Sequence, residues 1–130
     1  MNIMVCYDQT EQSQRAIQLA CEQAEAFKGE VTLVTTMEKG TPDQQDQINA
    51  AKKNLEEAEH LIRSRGISCR NDLLIHGLDR GEDLVQFAAD RKMNLIIIGI
   101  VKKSRVGKLF FGSTAQHVIL NAPCPVLTVN

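Results

Sequence analysis

The chain has 130 residues, 43% hydrophobic and 24% charged, with 15 basic and 16 acidic side chains and a net charge of −1. That length supplies one domain with a core and not two, and the charge balance excludes a generally basic nucleic-acid-binding surface. The four cysteines, Cys6, Cys21, Cys69 and Cys124, form no Cys-x-x-Cys pair and no zinc-ligand spacing, so they read as small buried hydrophobes in a reducing compartment. Met1-Asn2-Ile3-Met4 has no basic segment followed by a long apolar run, so no signal peptide is expected and the expected location is cytoplasmic.

Ile3 to Tyr7 is a short apolar run ending at Asp8 and predicts a strand buried on both faces. Ala16, Ile17, Ala20, Cys21, Ala24 and Phe27 recur at helical spacing, with Gly29 as terminator. Val31 to Thr36 predicts the second strand. Thr41-Pro42-Asp43-Gln44 predicts a capping box opening a second helix, whose stripe is Ile48, Ala51, Leu55, Ala58 and Ile62 and whose end is Gly66. Ile67 to Ile75 predicts a third, more polar strand nearer a sheet edge. Asp79 and Glu82 box a third helix with Leu84, Val85, Ala88 and Ala89 inward. Leu95 to Ile98 is the fourth strand. Ser113 and Gln116 box a fourth helix with Ala115, Val118 and Ile119 inside, broken by Pro123-Cys124-Pro125, and Val126 to Val129 is the last strand. The stretch from Leu109 to Asn130 is uncharged, but its Gly, Asn and Pro residues read as helix, loop and strand, not as a membrane span. Regular β-α alternation with apolar strands implies an α/β protein, a five-stranded parallel sheet with helices on both faces.

The most telling segment is 99–114, Gly-Ile-Val-Lys-Lys-Ser-Arg-Val-Gly-Lys-Leu-Phe-Phe-Gly-Ser-Thr. Gly99 follows a buried strand and permits a tight turn and close backbone approach. Gly112, Ser113 and Thr114 stand where a helix begins, with free N–H groups and the positive end of its dipole. Lys102, Lys103, Arg105 and Lys108 lie between, and Gly107 adds a flexible point. The combination suits an anion, foremost the phosphates of a nucleotide. In open parallel sheets ligands sit beyond the carboxyl ends of strands where the strand order reverses. If the first and fourth strands are neighbours, Asp8 faces this loop. Gly107-Lys108 is not a P-loop, because that motif needs glycine at 102 and Ser or Thr at 109, where Lys102 and Leu109 stand.

The opening Val5-Cys6-Tyr7-Asp8-Gln9-Thr10-Glu11-Gln12-Ser13 and the ending Gly112-Ser113-Thr114-Ala115 … Asn121-Ala122-Pro123-Cys124-Pro125-Val126-Leu127 resemble the universal stress protein family over the whole chain, 1–130. The resemblance implies strand order 3-2-1-4-5 and a homodimer paired through the C-terminal strand. The family's nucleotide-binding branch carries Gly-x2-Gly-x9-Gly-(Ser/Thr). Gly99, Gly112 and Ser113 fit it, Thr114 follows, and Lys102 replaces the middle glycine. Gln9 likewise replaces the usual glycine after Asp8. By the same analogy Asp8 would meet the ribose or a metal ion such as Mg, and Thr36 would lie against adenine. The implied ligand is ATP or another adenine nucleotide, in a stress-response or regulatory role.

Each of these residues also has a plainer role: Asp8 as a turn or cap residue, Ser113 and Thr114 as helix caps, the basic run as a solvated loop, and Phe110 and Phe111 as core. The alternative is a universal stress protein that binds no nucleotide and acts as a dimeric protein-interaction module, Lys102 marking loss of the pocket. His60, His76 and His117 are scattered, and no positioned nucleophile, base and orienter can be read, so at most a slow ATPase is expected. No nucleic-acid or membrane partner is expected.

Overall fold

The structure is a computed structural model that describes residues 1–75, 79–105 and 108–130, with backbone alone for 103–105 and 108–110. In chain order the elements are β1 (Asn2–Cys6), α1 (Glu11–Phe27), β2 (Glu30–Thr36), α2 (Gln44–Ser64), β3 (Cys69–Leu74), α3 (Arg80–Asp90), β4 (Leu95–Gly99), β5 (Lys103–Arg105), β6 (Lys108–Phe110), α4 (Ser113–Asn121) and β7 (Val126–Val129). The main sheet runs β3-β2-β1-β4-β7 and all its pairings are parallel. With β7 as the fifth core strand, this is the expected order 3-2-1-4-5. The short antiparallel pair β5-β6 lies inside the 99–114 segment, and its three-residue strands carry too little periodicity to be read from sequence.

β1 and β4 form the centre. Met4 pairs with Ile96 and Cys6 with Ile98, and both strands are buried nearly throughout because helices cover both faces. Alternate side chains go to opposite sides. Ile3, Val5, Leu33 and Ile97 pack beneath α1 and α2, with Ala16, Ala20, Leu55 and Ile62. Met4, Cys6, Val34 and Ile98 pack beneath α3 and α4, with Leu84, Phe87 and Val118. The polar strand β3 is indeed at an edge.

Several local expectations are corrected. α1 ends at Lys28, which takes the left-handed conformation (φ 51°). Gly29 serves packing, since a Cβ there would stand 3.0 Å from the Met1 carbonyl oxygen. Phe27 is exposed and does not join the α1 stripe. The box at the start of α2 does not form: the helix begins at Gln44, Asp43 gives no side-chain cap, and the Gln44 side chain instead binds the Gly40 N–H and the Glu38 carbonyl. In α3 the Asp79 cap forms, accepting from the Glu82 N–H at 2.8 Å, but Phe87 faces inward and Ala89 outward. Ile119 is at the surface. Gly66, at φ 80°, ends α2 as expected.

Gly99 has a packing duty that composition alone does not reveal. A Cβ there would lie 2.6 Å from the Gln12 carbonyl carbon and 2.7 Å from the Ser13 nitrogen. Those are backbone atoms of α1 and cannot swing aside. Gly99→Ala should therefore cost about 1–3 kcal/mol, as overpacked cores do, read as a lowered urea midpoint. An unchanged midpoint would show that α1 and β4 do not meet this closely.

Candidate functional site

The order of strand addition reverses between β1, from which the chain goes out to β2, and β4, from which it goes to β7 on the other side. The carboxyl ends of β1 and β4 therefore part above the sheet, and a cleft of about 290 Å³ lies there. Its floor is Cys6, Ile98 and Gly99. Asp8, Thr10 and Thr36 line it from the ends of β1 and β2, and Arg80, Leu84, Phe111, Gly112 and Thr114 from α3 and the start of α4. Five of the residues singled out from sequence thus meet in one place: Asp8, Thr36, Gly99, Gly112 and Thr114. Lys102 is exposed and does not line the cleft. Ser113 lines an adjoining polar basin of about 470 Å³ with Glu38, Asp79 and His117, and this basin shares Arg80 and Thr114 with the cleft. Gly107 and His76, and the side chains of Lys103, Arg105, Lys108 and Phe110, lie outside the described residues.

The Asp8 carboxylate is held in place. Its Oδ1 accepts from the Thr10 N–H at 3.1 Å and from the Thr10 hydroxyl at 2.7 Å. Thr10 in turn caps α1, its Oγ1 accepting the Ser13 N–H at 3.1 Å. The turn-or-cap reading of Asp8 is thus resolved: Asp8 closes the turn and Thr10 is the cap. Gln9 completes the bend with φ 66°, the left-handed region that a glycine adopts free of strain and a glutamine does not. Oδ2 of Asp8 has no hydrogen-bond partner among the described residues.

Gly112 precedes α4 with φ 95° and ψ 148°, backbone open essentially to glycine alone. It is the N-cap, and neither Ser113 nor Gln116 makes a capping bond. The capping role expected of Ser113 and Thr114 is therefore corrected: no side-chain cap occupies the α4 N-terminus, whose first N–H groups carry the helix's partial positive charge. Phe111 is half-buried against the core on the α3–α4 side. Thr36 ends β2 on the cleft side, whereas Thr35 faces the other way, its hydroxyl donating to the Tyr7 carbonyl at 2.8 Å.

Sequence reasoning missed Arg80, which sits at the first position of α3. No local pattern marks it, because its place in the cleft depends on the packing of α3 against α4. A Cβ on Gly81 would lie 2.8 Å from His117 Cβ, so Gly81 lets α3 and α4 press together and brings Arg80 beside Thr114. Among the described residues no group of three or more His, Cys, Asp or Glu could hold a metal ion, and no helix is long and apolar enough to cross a membrane.

The cleft cysteine is inert. Burial, reinforced by the Asp8 charge, pushes the Cys6 thiol up to about 12, and burial, reinforced by Glu59, pushes Cys69 up to about 12 as well. A nucleophilic thiolate at neutral pH is excluded at both.

An open, doubly wound parallel sheet with a cleft at its switch point is the α/β architecture in which bound ligands, where there are any, sit beyond the carboxyl ends of the strands. The comparisons are specific. The model of the universal stress protein family matches residues 1–130. The universal stress protein in the QAH/OAS sulfhydrylase 3′ region of Thermus aquaticus is 33% identical over 134 residues, taking in 98% of this chain and 96% of that one. A universal stress protein structure from Archaeoglobus fulgidus matches with a TM-score of 0.88 at 33% identity, over 100% of this chain and 93% of that one. Another from the same organism, solved in complex with dAMP, matches with a TM-score of 0.82 at 32% identity, over 100% of this chain and 98% of that one. The chain belongs to the universal stress protein family.

Burial raises all four thiols, and the two raised furthest, Cys6 and Cys69, set a pH dependence. Between their unfolded value near 9 and about 12, the unfolded chain releases protons that the folded chain keeps. Their contribution is intact below pH 9 and is lost as pH rises through that window. Stability measured by urea from pH 8 to 10.5 should fall, and Cys6→Ala with Cys69→Ala should flatten the slope. An equal slope in the double variant would contradict the burial of both thiols.

Proposed function

We propose that the cleft between β1 and β4 binds an adenine nucleotide, ATP or a smaller relative, and that the protein is a cytoplasmic, nucleotide-responsive regulator of the stress response rather than an efficient enzyme. The observation that carries this reading is the convergence of Asp8, Thr36, Gly99, Gly112 and Thr114 on one cleft at the switch point. The dAMP complex of a relative 32% identical over the whole chain supports it.

In this reading the free Oδ2 of Asp8 accepts from the ribose hydroxyls. Thr36 packs against the base. The unsatisfied N–H groups of Ser113 and Thr114 meet phosphate, and Gly112 gives the backbone its close approach. Lys102 contributes positive potential from the rim as a point charge. Were a Mg²⁺ ion to accompany the nucleotide, Asp8 is the cleft carboxylate that would help hold it and the ion would offset phosphate charge, since no protein cluster among the described residues could hold it alone.

The same family reading makes the molecule a homodimer through β7. That strand is the outer edge of the sheet, Leu127 is 39% exposed, and an open edge seeks a partner. Sedimentation should show a dimer that Leu127→Glu shifts toward monomer. A wild-type monomer at high concentration would contradict it.

Nucleotide recovered from freshly purified, denatured protein, together with a melting-temperature gain on adding AMP, ADP or ATP, tests the binding reading. The Thr114 hydroxyl, on the cleft lining, adds one charge-assisted bond to the phosphate beside the Ser113 and Thr114 N–H groups, so Ser113→Ala with Thr114→Ala, which keeps the N–H contacts and removes the hydroxyls, should weaken binding roughly tenfold. Absence of bound nucleotide and of any thermal shift would favour the alternative, a dimeric interaction module without ligand, for which the exposed Leu120 and Leu127 would be the contact surface.

A further inference from the structure

Asp8 and Arg80 are the charged residues lining the cleft among the described residues, Asp8 from the end of β1 and Arg80 from the start of α3. Asp8 is pinned by Thr10. Arg80 is not: it is exposed and has no hydrogen-bond or ion-pair partner among the described residues. Its neighbour Asp79 forms no ion pair with it, the Asp79 Oδ1 accepting instead from the Glu82 N–H.

Arg80 also lies on the boundary between two cavities. It lines the cleft, and with Thr114 it lines the polar basin as well. The basin is lined also by two carboxylates, Glu38 and Asp79, which do not line the cleft. Their charge disfavours an anion in the basin, whereas Arg80 and Thr114, which line the cleft as well, offer it a seat on the cleft side. An arginine fork matches the planar, bidentate geometry of phosphate oxygens better than a lysine ammonium does. Its position is built into the fold, since Gly81 allows His117 to close against α3.

We propose that Arg80 is the anion-selecting residue of the cleft, so that the site takes nucleotides carrying a phosphate and discriminates against the free nucleoside. This rests on the nucleotide reading of the same cleft and assigns to Arg80 the cationic contact expected of Lys102. The ligand lies with its sugar hydroxyls toward Asp8 and its phosphate toward Arg80 and Thr114.

Calorimetric titration of the full chain with AMP and with adenosine tests it, using wild type, Arg80→Ala, Arg80→Lys and Lys102→Ala. The expected result is AMP affinity reduced on the order of tenfold or more in Arg80→Ala, with adenosine affinity unchanged. Arg80→Lys should recover part of the loss, and Lys102→Ala should change AMP binding by less than Arg80→Ala does. Arg80 is at an exposed helix start, and an unchanged melting temperature of the unliganded variants verifies the fold. Equal losses for AMP and adenosine, or no loss for AMP, would overturn the proposal while leaving the cleft a nucleotide site. Wild type binding neither ligand would overturn both readings.

Discussion

The in-register parallel pairing of β1 with β4, from Ile3–Leu95 to Cys6–Ile98, is the constraint on which the rest of the molecule depends. Both strands are buried on both faces, so their backbone groups can be satisfied only by neighbouring strands. That requirement fixes β2 on one side of β1 and β7 on the far side of β4. It also forces the chain to leave in opposite directions at the carboxyl ends. The cleft is the space those departures open. Its chemistry follows from what each departure must do: Asp8, Gln9 and Thr10 turn β1 into α1, and Gly99 turns β4 past the first turn of α1.

The same residues therefore serve fold and site together. Asp8 is held by Thr10 because Thr10 must cap α1. Gly99 is small because α1 backbone lies against it. Gly112 has a left-handed φ because α4 must start at the cleft rim. None of these positions needs a ligand for its structural explanation, yet together they leave a carboxylate oxygen, a helix N-terminus and a guanidinium facing one space. Fold requirements alone account for the first two. The unpartnered Arg80 has no structural duty in the described contacts, which is why it is the most informative residue of the site.

Sequence periodicity carried the architecture well, for a physical reason. β1 and β4 are continuous apolar runs, and α1, α2 and α3 bury one stripe each, so the patterns of two-sided strands and one-sided helices are distinct. The edge position of β3 was legible in its polar Arg70, Asn71 and Asp72. The failures were local. Thr41 has capping chemistry, but the Gln44 side chain satisfies Gly40 and Glu38 instead, and the helix start moves to Gln44. Gly29 looked like a terminator because it follows the last helical turn, yet Lys28 takes the left-handed φ. Within the site, the glycines and Asp8 could be found from motif spacing. Arg80 could not, because its proximity to Thr114 arises from α3–α4 packing across Gly81 and His117, a contact between segments distant in sequence.

The central claim is that the β1–β4 switch point is a nucleotide cleft. The most direct measurement is a titration of isotope-labelled protein with AMP, following backbone amide shifts. The account predicts saturable shifts concentrated at Asp8, Thr36, Gly99 and Gly112 to Thr114, with the far end of the sheet around Asn2 and Asn94 unmoved. Absence of saturable shifts, or shifts gathered on the α2 face away from the cleft, would contradict it.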